Sequence, residues 1–176
     1  LDLHGIGTLL DIGGGTGAFL TAVGQAYPAL KLHLFDLPQV IAPATDRFAQ
    51  NGLTERTTIT GGSFRTDALP HGADAISLIR VLYDHSGDTV RMLLAKAHAA
   101  LPQGGRIIVS EPMSGGARPE RAGDAYFGLY CLAMGTGRAR SAAEIAKHLE
   151  TAGFSDIRTR KTARPFITSV VEARKA

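Results

Sequence analysis

The sequence predicts an α/β fold: a mostly parallel seven-stranded sheet with helices on both faces, closed by an antiparallel hairpin. Three observations carry this. Short β-branched or leucine-rich runs alternate with helical periodicity along most of the chain. The first apolar run opens into "GGGTG" and then a helix-like segment, a strand–turn–helix unit. The last two runs, "DIRTRKT" and "PFITSVVEARK", have no helix between them, which makes them antiparallel neighbours.

In order, strands fall near 8–12, 31–35, 57–60, 74–79 and 105–110, and helices near 17–26, 39–51, 88–101 and 141–152. Pro38 suits the first turn of the second helix. Pro102 and the pair Gly104–Gly105 stop the third and turn the chain into a strand. Ser141 is an N-cap, with Glu144 three residues on completing a capping box and Gly153 at the C′ position. The closing hairpin turns at Ala163–Arg164–Pro165, and "SGGARPERAGD" reads as a loop.

The 176 residues make one domain, residues 1–176, large enough to bury a core. A net charge of +3 without a basic run interleaved with aromatics argues against nucleic acid as a partner. Cys131 is the single cysteine, which excludes an internal disulfide and fits a reducing, cytoplasmic setting. The longest apolar run, Tyr126 to Met134, is too short to span a bilayer. His4, His33, His71, His98 and His148 lack metal-ligand spacing and read as surface residues, so no metal is expected. Because the chain opens with Leu1 and Leu9 already belongs to the first strand, it reads as the C-terminal part of a longer protein.

Gly13, Gly15 and Gly17 let the backbone turn tightly and approach a ligand, at which the following helix points its N-terminus. Asp36 ends the second strand, where a carboxylate can accept both hydrogen bonds of a ribose diol; it also suits a helix cap ahead of Pro38. These residues alone fit either a nicotinamide dinucleotide or S-adenosyl-L-methionine. The one Tyr-x-x-x-Lys of dehydrogenase type, Tyr27 to Lys31, falls in an early loop around Pro28 and is a false match.

The segments "LLDIGGGTGAF", "LFDLPQVI", "GGSF", "RVLYDH", "LPQGGRIIVSEP" and "GRARSAAEIAKHLETAGF" resemble, in that order, the class I small-molecule O-methyltransferases that include caffeate and hydroxyindole enzymes. The stretches from Ser77 to Pro102 and from Glu111 to Ser141 are most similar to carotenoid methyltransferases of the spheroidene pathway, which methylate a tertiary hydroxyl on a polyene. The resemblance implies a Rossmann-like fold and S-adenosyl-L-methionine as cofactor. It also implies an apolar hydroxylated substrate and a homodimer formed through a domain upstream, with peripheral membrane contact to reach a lipophilic substrate. A non-catalytic cofactor-binding relative and a nicotinamide-dependent oxidoreductase are the rival readings.

Carried over residue by residue, the resemblance assigns the cofactor to Asp11, Gly13, Gly15, Gly17, Asp36, Leu37, Gly62, Ser63, Phe64 and Arg80. Gly62 stands where the family's adenine-binding acid belongs, leaving backbone amides and the Phe64 ring to frame the base. Arg80 is equally readable as a strand-end arginine reaching solvent. Tyr83 takes the position of the family's histidine base and His85 that of its tryptophan, while Glu111 matches the orienting glutamate and Ala139 replaces a second one. With an unperturbed pKa of about 6.5 against about 10 for tyrosine, His85 is the better base, and Tyr83 suits holding the hydroxyl. If the chain beyond Leu82 stays extended the two side chains share a face; if a helix starts at once they diverge. Phe127, Tyr130, Cys131 and Met134 recur at helical spacing, as a buried helix face or as a substrate wall to which Met113 adds.

Overall fold

The computed structural model describes residues 1–160, 162–164 and 167–176. Its sheet contains β1 (Thr8–Ile12), β2 (Lys31–Asp36), β3 (Thr57–Gly61), β4 (Ala75–Ile79), β5 (Arg106–Glu111), β6 (Phe154–Arg160) and β7 (Ser169–Lys175). The spatial order is β3-β2-β1-β4-β5-β7-β6, with β7 alone antiparallel to both of its neighbours. The helices are α1 (Ala18–Ala26), α2 (Pro38–Gln50), α3 (Gly87–Ala100), α4 (Phe127–Met134) and α5 (Ala142–Thr151).

The sheet reverses direction of travel between β1 and β4, and the ends of β1, β2 and β4 open onto a crevice there, as open parallel sheets require. One core, with Ile76, Leu94, Ile107 and Leu149, fills the space under α3 and α5. The other, with Leu9, Leu20, Leu32 and Phe48, lies under α1 and α2. The two cores lie on opposite faces of the sheet, because inward positions alternate along each strand.

Local signals set the element ends. Ser86 caps α3 by accepting a hydrogen bond from the Thr89 amide, and Ser141 and Glu144 make the reciprocal capping box of α5. Two expectations are corrected. The 114–124 stretch is a loop only in its first part, because a π-helical turn over Arg121–Tyr126 leads into α4. Its Gly123 packs so closely on the Met113 carbonyl that a Cβ would lie 1.9 Å from the oxygen, so the residue read as a turn signal is a packing contact. The second hairpin strand begins at Ser169 rather than Pro165, and the expected turn at Ala163–Arg164–Pro165 lies partly outside the described residues. His33, His98 and His148 are half-buried rather than on the surface; His33 bonds Thr60, and His98 stacks edge-on against Phe154.

Candidate active site

A cleft of about 390 Å³ opens at the ends of β1, β2 and β4. Gly13, Asp36, Leu37, Gly62, Ser63, Phe64, Arg80, Asp84 and His85 all line it. Most of the residues expected at the cofactor are therefore brought together. Asp11 is 1% exposed and stands beneath the glycine turn, where its carboxylate accepts from Ser77 Oγ at 2.6 Å. Burial pushes its pKa up to about 7, against the Ser77 hydrogen bond.

The turn itself is held from outside. Asp36 Oδ2 accepts from the Gly15 amide at 2.8 Å and Oδ1 from the Leu37 amide at 2.7 Å, so each oxygen keeps a free acceptor site. Gly17 has φ +75°, and a Cβ there would meet the Phe48 ring at 2.6 Å. The helix therefore starts against an aromatic ring with no room for a side chain. Gly62 is close-packed too: its Cβ would point at the Phe35 ring, 2.7 Å away, so an acid fits there only if that ring shifts. Phe64 and His85 pack edge-on against each other at this end of the cleft, ring centroids 5.2 Å apart.

Past β4, Arg80 takes a left-handed backbone (φ +60°), an uncommon conformation for a residue other than glycine and one found at functional sites. A 3₁₀ turn over Leu82–Asp84 follows immediately, so Tyr83 and His85 diverge. Tyr83 is 5% exposed and faces away from the glycine turn into a small aromatic cluster with Phe127, Tyr130 and Cys131. Its hydroxyl lies 3.4 Å from Arg80 Nη2, and burial pushes its pKa up, which makes a tyrosinate base less available.

His85 instead lines the cleft, beside Phe64. Its Nδ1 lies 3.2 Å from Arg65 Nη2, and arginine can only donate, so Nδ1 carries the lone pair and the neutral ring holds its proton on Nε2. That tautomer leaves no free lone pair on the imidazole. Burial, with Arg65 and Arg140, lowers the His85 pKa. Asp84, between the two candidates in the chain, was not singled out from the sequence. It is half-buried in the cleft wall, and burial pushes its carboxyl pKa up, while Arg80 and Tyr83 pull it down. The signal was its place inside "RVLYDH", the only acid in that run.

Glu111, at the end of β5, is buried and does not touch the Tyr83 or His85 side chain. Its carboxylate accepts from the amides of Val81, Leu82 and Tyr83 at 2.9, 2.8 and 3.3 Å. Burial pushes its pKa up to about 7 in spite of these bonds. It organises the backbone that carries Tyr83 rather than a ring.

The four expected substrate residues are not brought to one surface. Phe127 and Tyr130 pack on Tyr83, Met134 is 60% exposed at the end of α4, and Met113 lines a cavity sharing no lining residue with the cleft. Among the described residues no group of three His, Cys, Asp or Glu side chains could hold a metal ion.

The strand order, the antiparallel closing strand and a glycine turn facing a ribose-suited carboxylate define the class I methyltransferase fold. Residues 1–155 match the O-methyltransferase domain family, and the chain belongs to it. It is 57% identical to demethylspheroidene O-methyltransferase of Cereibacter sphaeroides over 98% of its length, covering 46% of that protein. The crystal structure of human N-acetylserotonin methyltransferase in complex with SAM superposes with a TM-score of 0.89 at 30% identity, over all of this chain and 49% of that one. Mitomycin 7-O-methyltransferase superposes with a TM-score of 0.91 at 31% identity, over all of this chain and 51% of that one. The chain thus spans about half the length of the relatives it matches.

Proposed function

We propose that this domain binds S-adenosyl-L-methionine in the cleft and methylates a hydroxyl of an apolar small molecule, a hydroxylated carotenoid. One observation carries the reading: a single cleft runs from the glycine turn and Asp36 to Arg80 and Asp84, where it meets the aromatic cluster around Tyr83. The names of its relatives supply the substrate class.

The residues present fit the cofactor. Asp36 has one unused acceptor site on each oxygen, the requirement for a vicinal diol. Phe64 and His85, packed edge-on in the cleft wall, offer an aromatic surface for a planar base, and the glycine turn lets the backbone come close to an amino-acid moiety. When bound, the cofactor supplies an electrophilic methyl group on a sulfonium. The Arg80 guanidinium, which lines the cleft and is fixed by its contact with the buried Tyr83 hydroxyl, holds the substrate oxygen by a hydrogen bond. Asp84 accepts the hydroxyl proton as the oxygen is alkylated, a role for which a carboxylate serves because an alkylated hydroxyl is strongly acidic. His85 frames the cofactor with its Nδ1 held by Arg65. Most of the rate enhancement then comes from alignment of the reacting atoms.

The exposed apolar side chains of Tyr126, Leu129, Leu132 and Met134 support two further parts of this reading. One is a homodimer built with a domain upstream; the other is peripheral contact with a membrane holding a lipophilic substrate, from a cytoplasmic location. No helix among the described residues is long and apolar enough to cross a membrane.

Transfer of labelled methyl from S-adenosylmethionine to a hydroxylated carotenoid by the intact protein tests the assignment; tight NADH binding with none for S-adenosylhomocysteine overturns it. Asp36→Ala is expected to weaken cofactor binding by about 1.5–3 kcal/mol, because a charged acceptor is lost and the Gly15 amide is released. Calorimetry on both variants measures it, and an unchanged affinity would remove Asp36 from the site.

A further inference from the structure

Between Val81 and His85 the chain makes the one turn on which Tyr83, Asp84 and His85 are displayed, and none of its backbone polar groups is left to chance. On the amide side, Glu111 takes three N–H groups. On the carbonyl side, Arg140 Nη1 donates to Leu82 O and Nη2 to His85 O, both at 2.8 Å. The two carbonyls between them are taken by neighbours of Arg140: Cys131 Sγ donates to Tyr83 O at 3.5 Å and Thr136 Oγ1 to Asp84 O at 3.1 Å. Gly137 comes so near that a Cβ would lie 2.1 Å from Tyr83 O.

Arg140 is a costly residue to place there. It is 2% exposed, and its Nε is buried without a partner. Among the described residues no carboxylate lies within ion-pair distance of its guanidinium. A buried arginine without a counter-ion is an expensive way to fill space, since an apolar side chain of similar volume does so at lower cost. What the guanidinium does, and an apolar residue cannot, is bridge two carbonyls with a rigid fork. It also sets a cation at the carbonyl end of the turn, opposite the Glu111 carboxyl at the amide end, the sense a short helical segment favours.

The geometry points to Arg140 as a positioning residue: with Glu111 it clamps the Val81–His85 turn, fixing Tyr83 towards the aromatic cluster and Asp84 towards the cleft. Arg140 bonds the backbone on either side of Tyr83 and Asp84, at Leu82 and His85, and acts through it. The consequence for catalysis rests on the methyl-transfer reading above. Displacement of reacting groups by about 1 Å costs on the order of 10²-fold in rate.

The test uses Arg140→Lys and Arg140→Met in the intact protein. Lysine keeps the charge but not the fork, and methionine keeps the stem. Both variants are expected to lower kcat by about 10–10²-fold and to weaken S-adenosylhomocysteine binding by less than that, since only the His85 end of the turn lies against the cofactor. A second readout needs no activity. This chain has four tyrosines, so 3-fluorotyrosine labelling gives four fluorine resonances from it, with that of Tyr83 assigned by Tyr83→Phe. The Tyr83 resonance is expected to shift or broaden in both variants, while that of remote Tyr27 stays put. Unchanged kcat and an unchanged Tyr83 resonance in folded variants overturn the clamp. So does a uniform loss of cofactor affinity and of the native resonances of all four tyrosines of this chain, which marks a merely structural role. If wild type transfers no methyl group but the Tyr83 resonance still responds, the functional reading fails and the clamp stands.

Discussion

Asp84→Asn is expected to lower kcat by about 10²–10⁴-fold with cofactor affinity nearly unchanged, the size of effect seen when a positioned proton acceptor is removed. The asparagine keeps the shape of the cleft wall and loses only the ability to take a proton. Tyr83→Phe should cost much less, because it deletes one hydrogen bond to Arg80 and leaves the aromatic packing on Phe127 and Tyr130 intact. His85→Ala should act chiefly on the cofactor KM, since the ring lies against Phe64 at that end of the cleft. Steady-state kinetics on the three variants, with cofactor varied up to saturation, separates these roles. A near-silent Asp84→Asn beside a crippled His85→Ala would give the proton to the imidazole. If Asp84→Asn and His85→Ala are both silent, the proton leaves to water.

The second large effect is on stability. Asp11 and Glu111 are both buried, and burial pushes each carboxyl pKa up to about 7, from 3.8 and 4.5 respectively. A raised folded-state pKa means that the folded chain holds protons which the unfolded chain has already released. Both groups are therefore harmless below about pH 4, and their contribution to stability is lost as pH rises through about 7. Each group then costs about 2–4 kcal/mol at pH 8 relative to pH 4. Asp11→Asn removes one of the two and can still accept from Ser77 Oγ. It is expected to be about 2 kcal/mol or more steadier than wild type at pH 8, with little difference at pH 4. Urea denaturation at the two pH values checks this, and an equal difference at both would show that the Asp11 charge is not the cause.

Retaining an ionisable group under the glycine turn, at that cost, fits a site rather than a core. Asp11 lies directly below Gly14, where a Cβ would come 2.7 Å from its carboxylate, so the acid and the turn are packed as one unit. Asparagine should fill the same space, which makes cofactor affinity in Asp11→Asn a measure of the charge alone.

The sheet, its closing antiparallel strand and the glycine turn were legible in the sequence because their signals are local. Alternating apolar runs, Pro102 before Gly104–Gly105, and the Ser141–Glu144 pair each act within a few residues of the element they start or stop. Asp36 was legible for the same reason, since it closes a strand beside the turn it serves. The π-helical turn at Arg121–Tyr126 was not, because what shapes it is the contact of Gly123 with the Met113 carbonyl. The helical spacing of Phe127, Tyr130, Cys131 and Met134 was real, yet only Phe127 and Cys131 are buried; periodicity gives a face of a helix but not what covers it. The sequence by itself determined the architecture, the family and the glycine turn with Asp36 at one end of the cleft. Tertiary structure alone decided the chemical end. Whether Tyr83 and His85 share a face depends on one 3₁₀ turn, held by Glu111 from β5 and Arg140 from the approach to α5. Those charges reach the turn only after the sheet has assembled, so no local pattern around residue 83 records where they pull.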